Sequence, residues 1–324
     1  MALDGPGEFT AASHRLHWPA QPIRPLVTRD SYAPMLVIIG AAIAFFSVIV
    51  GYTAHGGHLA VLWQPYEYLI IFGAAIGGFL IANPKKIIQQ VLATVPRIPG
   101  GAPYGRQHYM DLLALLYELL QRAQKDGLLS IEDDVDNPHE SEIFQSYPRI
   151  LNDHMAREFL CDYLRLMVQG NMNPFELENL MDVEIETHHK EASKPAAAVN
   201  KVADAMPGFG IIAALLGVVI ALGSLDEDVM TIGSLVASAL IGTFTGIFAG
   251  YAFVGPLGQA MEHRAQEQSK FLETIKLTLL AVLNGYKPVV AVEFGRKAMF
   301  EAERPTFFEL EEHVKMQAAR KAEG

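Results

Sequence analysis

Four apolar stretches constrain this 324-residue chain more than anything else in it, each close to the roughly 20 residues a helix needs to cross the hydrocarbon core of a bilayer. They fall at about 35 to 52, 66 to 83, 203 to 223 and 231 to 256. The first reads MLVIIGAAIAFFSVIVGY and the second YEYLIIFGAAIGGFLIAN, with Glu67 at the edge of the second as their one charge. Helices buried in soluble proteins are rarely so long and so clean. The third, MPGFGIIAALLGVVIALGSL, and the fourth, TIGSLVASALIGTFTGIFAGYAFVGP, contain no Asp, Glu, Lys, Arg or His. With 51% hydrophobic and 19% charged residues overall, the charges must crowd into what remains. The expected fold class is an all-α membrane protein: four transmembrane helices with a helical cytoplasmic domain between the second and third spans.

Orientation follows from where Lys and Arg lie in the short flanks. The loop from about Thr53 to Pro65 has none and the loop LDEDVM is acidic, whereas Lys85, Lys86, Arg97 and Arg106 follow the second span, and Arg264, Lys270 and Lys276 follow the fourth. Both termini and the long middle segment are therefore expected on the cytoplasmic side of the membrane. The resulting domains are a flexible tail at 1–34, a first pair of spans at 35–83, a cytoplasmic helical domain at 84–202, a second pair at 203–256, and a cytoplasmic extension at 257–324. In the middle segment, Leu112, Leu113, Leu116, Leu119 and Leu120 make an apolar helical stripe that Gly127 stops. Asn173-Pro174-Phe175-Glu176 supplies a cap, a first-turn proline and a first-turn acid for the next helix. Beyond the fourth span, QAMEHRAQEQSKFLETIKLTLLAVLNGY is apolar on one side, and is expected to carry that span on into the cytoplasm.

The net charge of −11 excludes a nucleic-acid binder, since phosphate backbones attract basic surfaces. Cys161 has no second cysteine to pair with and reads as a buried thiol. Glu132, Asp133, Asp134, Asp136, Glu140 and Glu142 lack the glycine and spacing of a calcium loop and read as a solvated acidic surface. His188 and His189 are adjacent, not four apart, so they point different ways on a helix and no metal is expected there. No nucleophile, base and orienting group occur at catalytic spacing, and no cofactor is implied. Gly242, Gly246 and Gly250 recur every four residues, as do Gly73 and Gly77, which suits close helix packing within one subunit, between subunits, or both. Pro207 and Pro256 each remove a backbone donor near a membrane boundary. A protein that moves an ion through the bilayer nearly always places an ionisable group inside it. Either this chain moves no ions, or another chain brings the carboxylate.

Ala239-Leu240-Ile241-Gly242-Thr243-Phe244-Thr245-Gly246-Ile247-Phe248, with Pro256 after it, resembles the MotA family of flagellar stators. So do GGHLAVLWQP, YMDLLALLYELL, NPHESEIFQSYPRIL, MNPFELENLMDVEIETH and NGYKPVVAVEFGRK, and the likeness runs from Met35, where the family usually begins, to about Val314. The tail before Met35 is accordingly expected to be dispensable. The resemblance implies a homo-oligomer of five copies around two copies of MotB, whose single transmembrane helix carries the ion-binding aspartate. It implies that Pro207 and Pro256 couple ion passage to conformational change and that Thr243 faces the ion path. Ala214 stands where sodium-driven relatives tend to carry threonine, which favours a proton. It further implies that Glu132 contacts the rotor protein FliG and that Glu184 helps placement at the rotor. At the family's principal basic rotor-contact position this chain has Gln124, with Arg122 and Lys125 as neighbours able to supply the charge. An ExbB- or TolQ-like energiser is the alternative within the same superfamily, and a non-conducting scaffold the alternative outside it.

Overall fold

The computed structural model describes residues 33–101, 103–170 and 173–323. The tail expected at 1–34 lies almost wholly outside the described residues. All regular structure in them is helical: α1 (Ala33–Ala54), α2 (Leu59–Leu62), α3 (Pro65–Ala82), α4 (Lys85–Thr94), α5 (Arg106–Asp126), α6 (Glu132–Asp136), α7 (Glu142–Gln145), α8 (Pro148–Leu151), α9 (His154–Gln169), α10 (Pro174–Gly223), α11 (Val229–Ala249), α12 (Gly255–Leu283), α13 (Pro288–Ala298) and α14 (Phe307–Glu323). Among the described residues four helical segments are long and apolar enough to cross a membrane.

Two pieces that read separately in sequence are one helix. The capped helix after Asn173 and the third span join as α10, 50 residues long and so about 75 Å from end to end. Its start is the capping box the sequence announces, with the Asn173 side chain accepting from the Glu176 N–H and the Glu176 carboxylate accepting from the Asn173 N–H. The fourth span likewise runs on: α11 passes through a wide π turn at Gly250–Val254 into the 29-residue α12, which carries the chain far past the apolar stretch.

Outside the apolar segment the helices form a closed head around α5. The stripe Leu112, Leu113, Leu116, Leu119 and Leu120 is buried, and so are Ala114 and Leu115 on the other side, because α12, α13 and α14 enclose that face as well. Phe144, Tyr147, Phe159, Tyr163 and Phe271 complete the core. Enclosure leaves Asp111 buried on α5, where a charge must be met by partners. Arg149 donates to it at 2.6 Å, Gln107 at 3.1 Å, and His313 of α14 at 3.1 Å, so the C-terminal helix is held to α5 by this cluster. Burial works to raise the Asp111 carboxyl, and the hydrogen bonds from His313, Arg149 and Gln107 outweigh it and hold it below the usual carboxylate range. Cys161 is buried in α9, and loss of hydration pushes its thiol up to about 11.

The spans are built the other way round. Ile81 is 89% exposed, Val229 86% and Met230 85%, and α1 has hardly a buried side chain. Apolar surface on this scale needs lipid or other chains against it.

Candidate functional site

The tightest contact in the apolar half is between α10 and α11, and it is made of backbone. Residues four apart share a helix face, and the face of α11 carrying Gly242, Gly246 and Gly250 lies on α10. A Cβ added at Gly246 would sit 2.6 Å from the Met206 carbonyl oxygen and 2.7 Å from the Gly210 Cα. One at Gly250 would sit 2.8 Å from the Ala203 oxygen, and one at Gly242 would sit 3.1 Å from the Ala213 Cβ. The reciprocal face of α10 is equally bare: a Cβ at Gly210 would meet the Gly242 oxygen at 2.9 Å, and one at Gly217 the Ala239 Cβ at 2.8 Å. Sequence reasoning passed over Gly210 and Gly217, although their spacing of seven, two helical turns, was the signal. Gly73 and Gly77 of α3 behave differently, since nothing else among the described residues comes within 4 Å of a Cβ built there.

This packing brings Ala214 and Thr243 to the same level. A Cβ at Gly242 would lie 3.4 Å from the Ala214 nitrogen, and one at Gly210 would lie 3.2 Å from the Thr243 oxygen. Both residues are half-buried.

Pro207 sits inside α10 and has no N–H to return to the Ala203 carbonyl. That carbonyl points at Gly250, where only a glycine leaves room. Gly250 also begins the π turn, and Pro256 follows directly after it in the first turn of α12. A π turn is one of the few ways a long helix absorbs a local break. Pro207 therefore lies at the level of Gly250, where the π turn begins, and Pro256 comes about 9 Å of helix rise further on, just past its end. Pro207 is half-buried and Pro256 exposed.

Beside Gly242, near the level of Ala214 and Thr243, a small polar group joins α3 to α11, the Glu67 Cγ lying 3.5 Å from a Cβ built at Gly242. Glu67, in the first turn of α3, accepts from the Ser238 hydroxyl of α11 at 2.5 Å, and the Gln64 side-chain oxygen lies 2.9 Å from the same hydroxyl. A carboxylate in a first turn is favoured by the helix dipole. Sequence reasoning noted Glu67 only as a charge at the edge of a span. Its partner comes from 171 residues away, which spacing alone does not reveal.

In the head, the candidate rotor residues separate. Gln124, Lys125 and Glu132 are exposed around the turn from α5 to α6, together with Leu129, which is 70% exposed. Arg122 is exposed but paired: it donates to Asp134 at 2.8 Å, and the buried Asp134 also accepts from Ser141 at 2.6 Å. Its charge is thus engaged within the head, which leaves Lys125 as the neighbour of Gln124 with no ion pair among the described residues. Glu184 lies elsewhere, on α10, where it accepts from the Tyr163 hydroxyl at 2.6 Å. Burial, and then Glu184 itself, push that phenol up. Among the described residues no three His, Cys, Asp or Glu side chains group as metal ligands.

Fold and site together define a polytopic helical membrane protein whose closest-packed pair of spans carries Thr243 and Pro207 but no Asp, Glu, Lys, Arg or His within its own two apolar stretches, 206–225 and 231–256. Residues 38–127 match the family described as Motility protein A N-terminal, and residues 151–274 match the MotA/TolQ/ExbB proton channel family. The chain is 48% identical over 281 residues to Motility protein A of Salmonella typhimurium, covering 87% of this chain and 95% of that one. Motility protein A of Escherichia coli gives the same figures. The chemotaxis protein LafT of Vibrio parahaemolyticus is 37% identical over 277 residues, 86% of this chain and 97% of the relative. Among solved structures, MotAB of C. jejuni superposes with a TM-score of 0.69 at 21% identity, covering 82% of this chain and 96% of that one. The flagellar MotAB stator complex of Bacillus subtilis gives 0.62 at 23%, over 79% and 92%. The chain belongs to the motility protein A family and is a flagellar stator subunit.

Proposed function

We propose that this subunit forms a ring, five copies around two of MotB, in which MotB's aspartate carries a proton past Thr243 and the ring turns the rotor through contacts with FliG. One observation carries the reading: α10 and α11 pack backbone to backbone around Thr243 and Pro207, and neither of their apolar stretches, 206–225 or 231–256, supplies a carboxylate of its own, the neighbouring Glu67 of α3 being engaged by Ser238. A chain that moves an ion needs an ionisable group in the bilayer, so a partner has to bring it. The exposed apolar faces of the spans are where ring neighbours, the partner and lipid would lie. Ala214 favours the proton, because sodium needs several oxygen ligands in place of its water and alanine offers none. Both termini and the head face the cytoplasm, as the Lys and Arg flanks indicate, and the division into 35–83, 84–202, 203–256 and 257–324 follows from that topology.

Moving one charge through the membrane potential yields about 2.3 kcal/mol per 100 mV, several times RT. That is enough to bias a tightly packed helix pair between discrete arrangements. The irregular stretch at Pro207, Gly250 and Pro256 is where such a change would cost least, since the helical bonding is already interrupted there. Swimming speed measured at fixed proton-motive force over a range of external sodium tests the ion: speed is expected to stay constant, and a speed that scales with sodium overturns the proton. Proton flux measured with and without the MotB partner tests the missing carboxylate, and flux through this chain alone overturns it.

A further inference from the structure

Where α3 leaves its apolar stretch, the chain makes a lysine-lined cleft against the middle of α10. The Asn83 amide donates to the Phe79 oxygen at 2.8 Å and stops α3, Pro84 turns the chain, and α4 lies back on α10 through Ile87 and Val91 against Ala196, Ala198 and Val199. Between these elements is a cleft of about 420 Å³ lined by Lys86, Lys194 and Lys201, with Glu191 its one carboxylate. Glu191 pairs with Lys86 at 3.3 Å. Three ammonium groups against one carboxylate leave a surplus of two positive charges, and Lys194 and Lys201 have no ion pair among the described residues. Asp204, one turn beyond Lys201, does not line the cleft.

The position of the cleft matters as much as its charge. Directly above it, at the end of α3, Leu80 is 51% exposed and Ile81 89% exposed, so hydrocarbon-facing side chains give way to lysines within a few residues. Long cationic side chains at that depth meet lipid phosphates, and basic pockets between membrane helices on the cytoplasmic side are suited to anionic headgroups. We propose that this cleft seats the phosphate of an anionic phospholipid of the inner leaflet, with Lys86, Lys194 and Lys201 around the headgroup and the acyl chains against Leu80 and Ile81. The proposal rests on the inside-facing orientation given above. The bound lipid would tie the amphipathic α4 to α10 beside its entry into the membrane.

The full chain, purified with its native partner, is assayed for phosphatidylglycerol retained through detergent exchange, by native mass spectrometry and lipid extraction. Each lysine near an anionic surface contributes about 1 kcal/mol, so Lys86→Gln with Lys194→Gln and Lys201→Gln is expected to weaken retention on the order of 100-fold, while the same three positions changed to Arg retain it. Added phosphatidylglycerol is expected to raise the Tm of the wild type and not of the Gln variant, with phosphatidylcholine raising neither. Equal protection by inorganic phosphate overturns the lipid in favour of a free anion. Equal retention by wild type and Gln variant overturns the site, and so does a Gln variant that keeps its lipid but loses subunits, which would make the lysines an interface between copies. A reporter fused after Lys86 separates failure of the site from failure of the orientation: its appearance outside the cell overturns the orientation instead.

Discussion

The head and the membrane half of this chain solve the packing problem by opposite means. The head closes a core of leucines and aromatic rings around α5 and meets its buried carboxylates with donors, Asp111 with three and Asp134 with two. The membrane half has little core of its own and gains its internal cohesion from glycines that let α10 and α11 touch through their backbones. In water, burying side chains drives assembly. In lipid, tails are as apolar as leucine, so close backbone contact has to serve instead. The head is therefore specified by large residues and the spans by small ones, and their sensitivities to mutation should be opposite in kind.

The largest effect is expected from enlarging a glycine in the spans. Gly246→Leu places atoms where the Met206 oxygen and Gly210 already lie, so α10 and α11 must part, and motility in soft agar should be lost altogether. Gly73→Leu adds more apolar surface into open space and should leave the protein at normal level in the membrane fraction. Normal swimming by the Gly246 variant would break the contrast.

A middle-sized effect is expected in the head. Asp111→Asn leaves Arg149 and His313 facing a neutral amide and should lower the stability of the head by about 1–3 kcal/mol, read as a fall in Tm. The pH dependence has a definite sign. Because the folded Asp111 carboxyl is held below its ordinary value, its contribution is complete above the unfolded pKa of about 3.9 and is lost as pH falls below that. The wild-type head should weaken in that acid range more steeply than the Asn variant, and parallel acid profiles would remove Asp111 from the account.

The smallest single effects belong to the exposed charges. Exposed pairs are worth at most about 1 kcal/mol, so Glu132→Gln or Lys125→Gln should only slow swimming. Reversing both, Glu132→Lys with Lys125→Glu, adds repulsion and should reduce motility much further at normal protein level, with partial recovery when the rotor's complementary charges are also reversed. Arg122→Gln should instead act on stability, because its partner is Asp134 within the head. A double reversal that swims normally would withdraw the contact.

Much of this was legible along the chain because it is written locally. Span lengths, the leucine stripe of α5, the capping box at Asn173 and the glycine period of α11 are all patterns over a few turns. What was not legible depends on pairing across distance. Nothing local says that the helix after Asn173 and the third span form one rod, because the composition changes midway while the backbone does not. Nothing local says that Arg122 pairs with Asp134, that Tyr163 holds Glu184, or that Ser238 reaches Glu67, since each depends on which surfaces the tertiary fold brings together. The Gly73 and Gly77 stripe has the same period as that of α11, and period alone cannot say whether a neighbour is present.

The length of α10 carries a mechanical consequence. From Gly210, where it is gripped by α11, to its start at Pro174 there are 36 residues, about 54 Å of helix. Pro195 and Pro207 lie within that length without ending the helix, so it can serve as a lever, and a tilt of about 5° at the gripped point sweeps its far end through about 5 Å, the length of one helical turn. An angular change too small to open the glycine contact is thus delivered to the head as a stroke the size of a side chain.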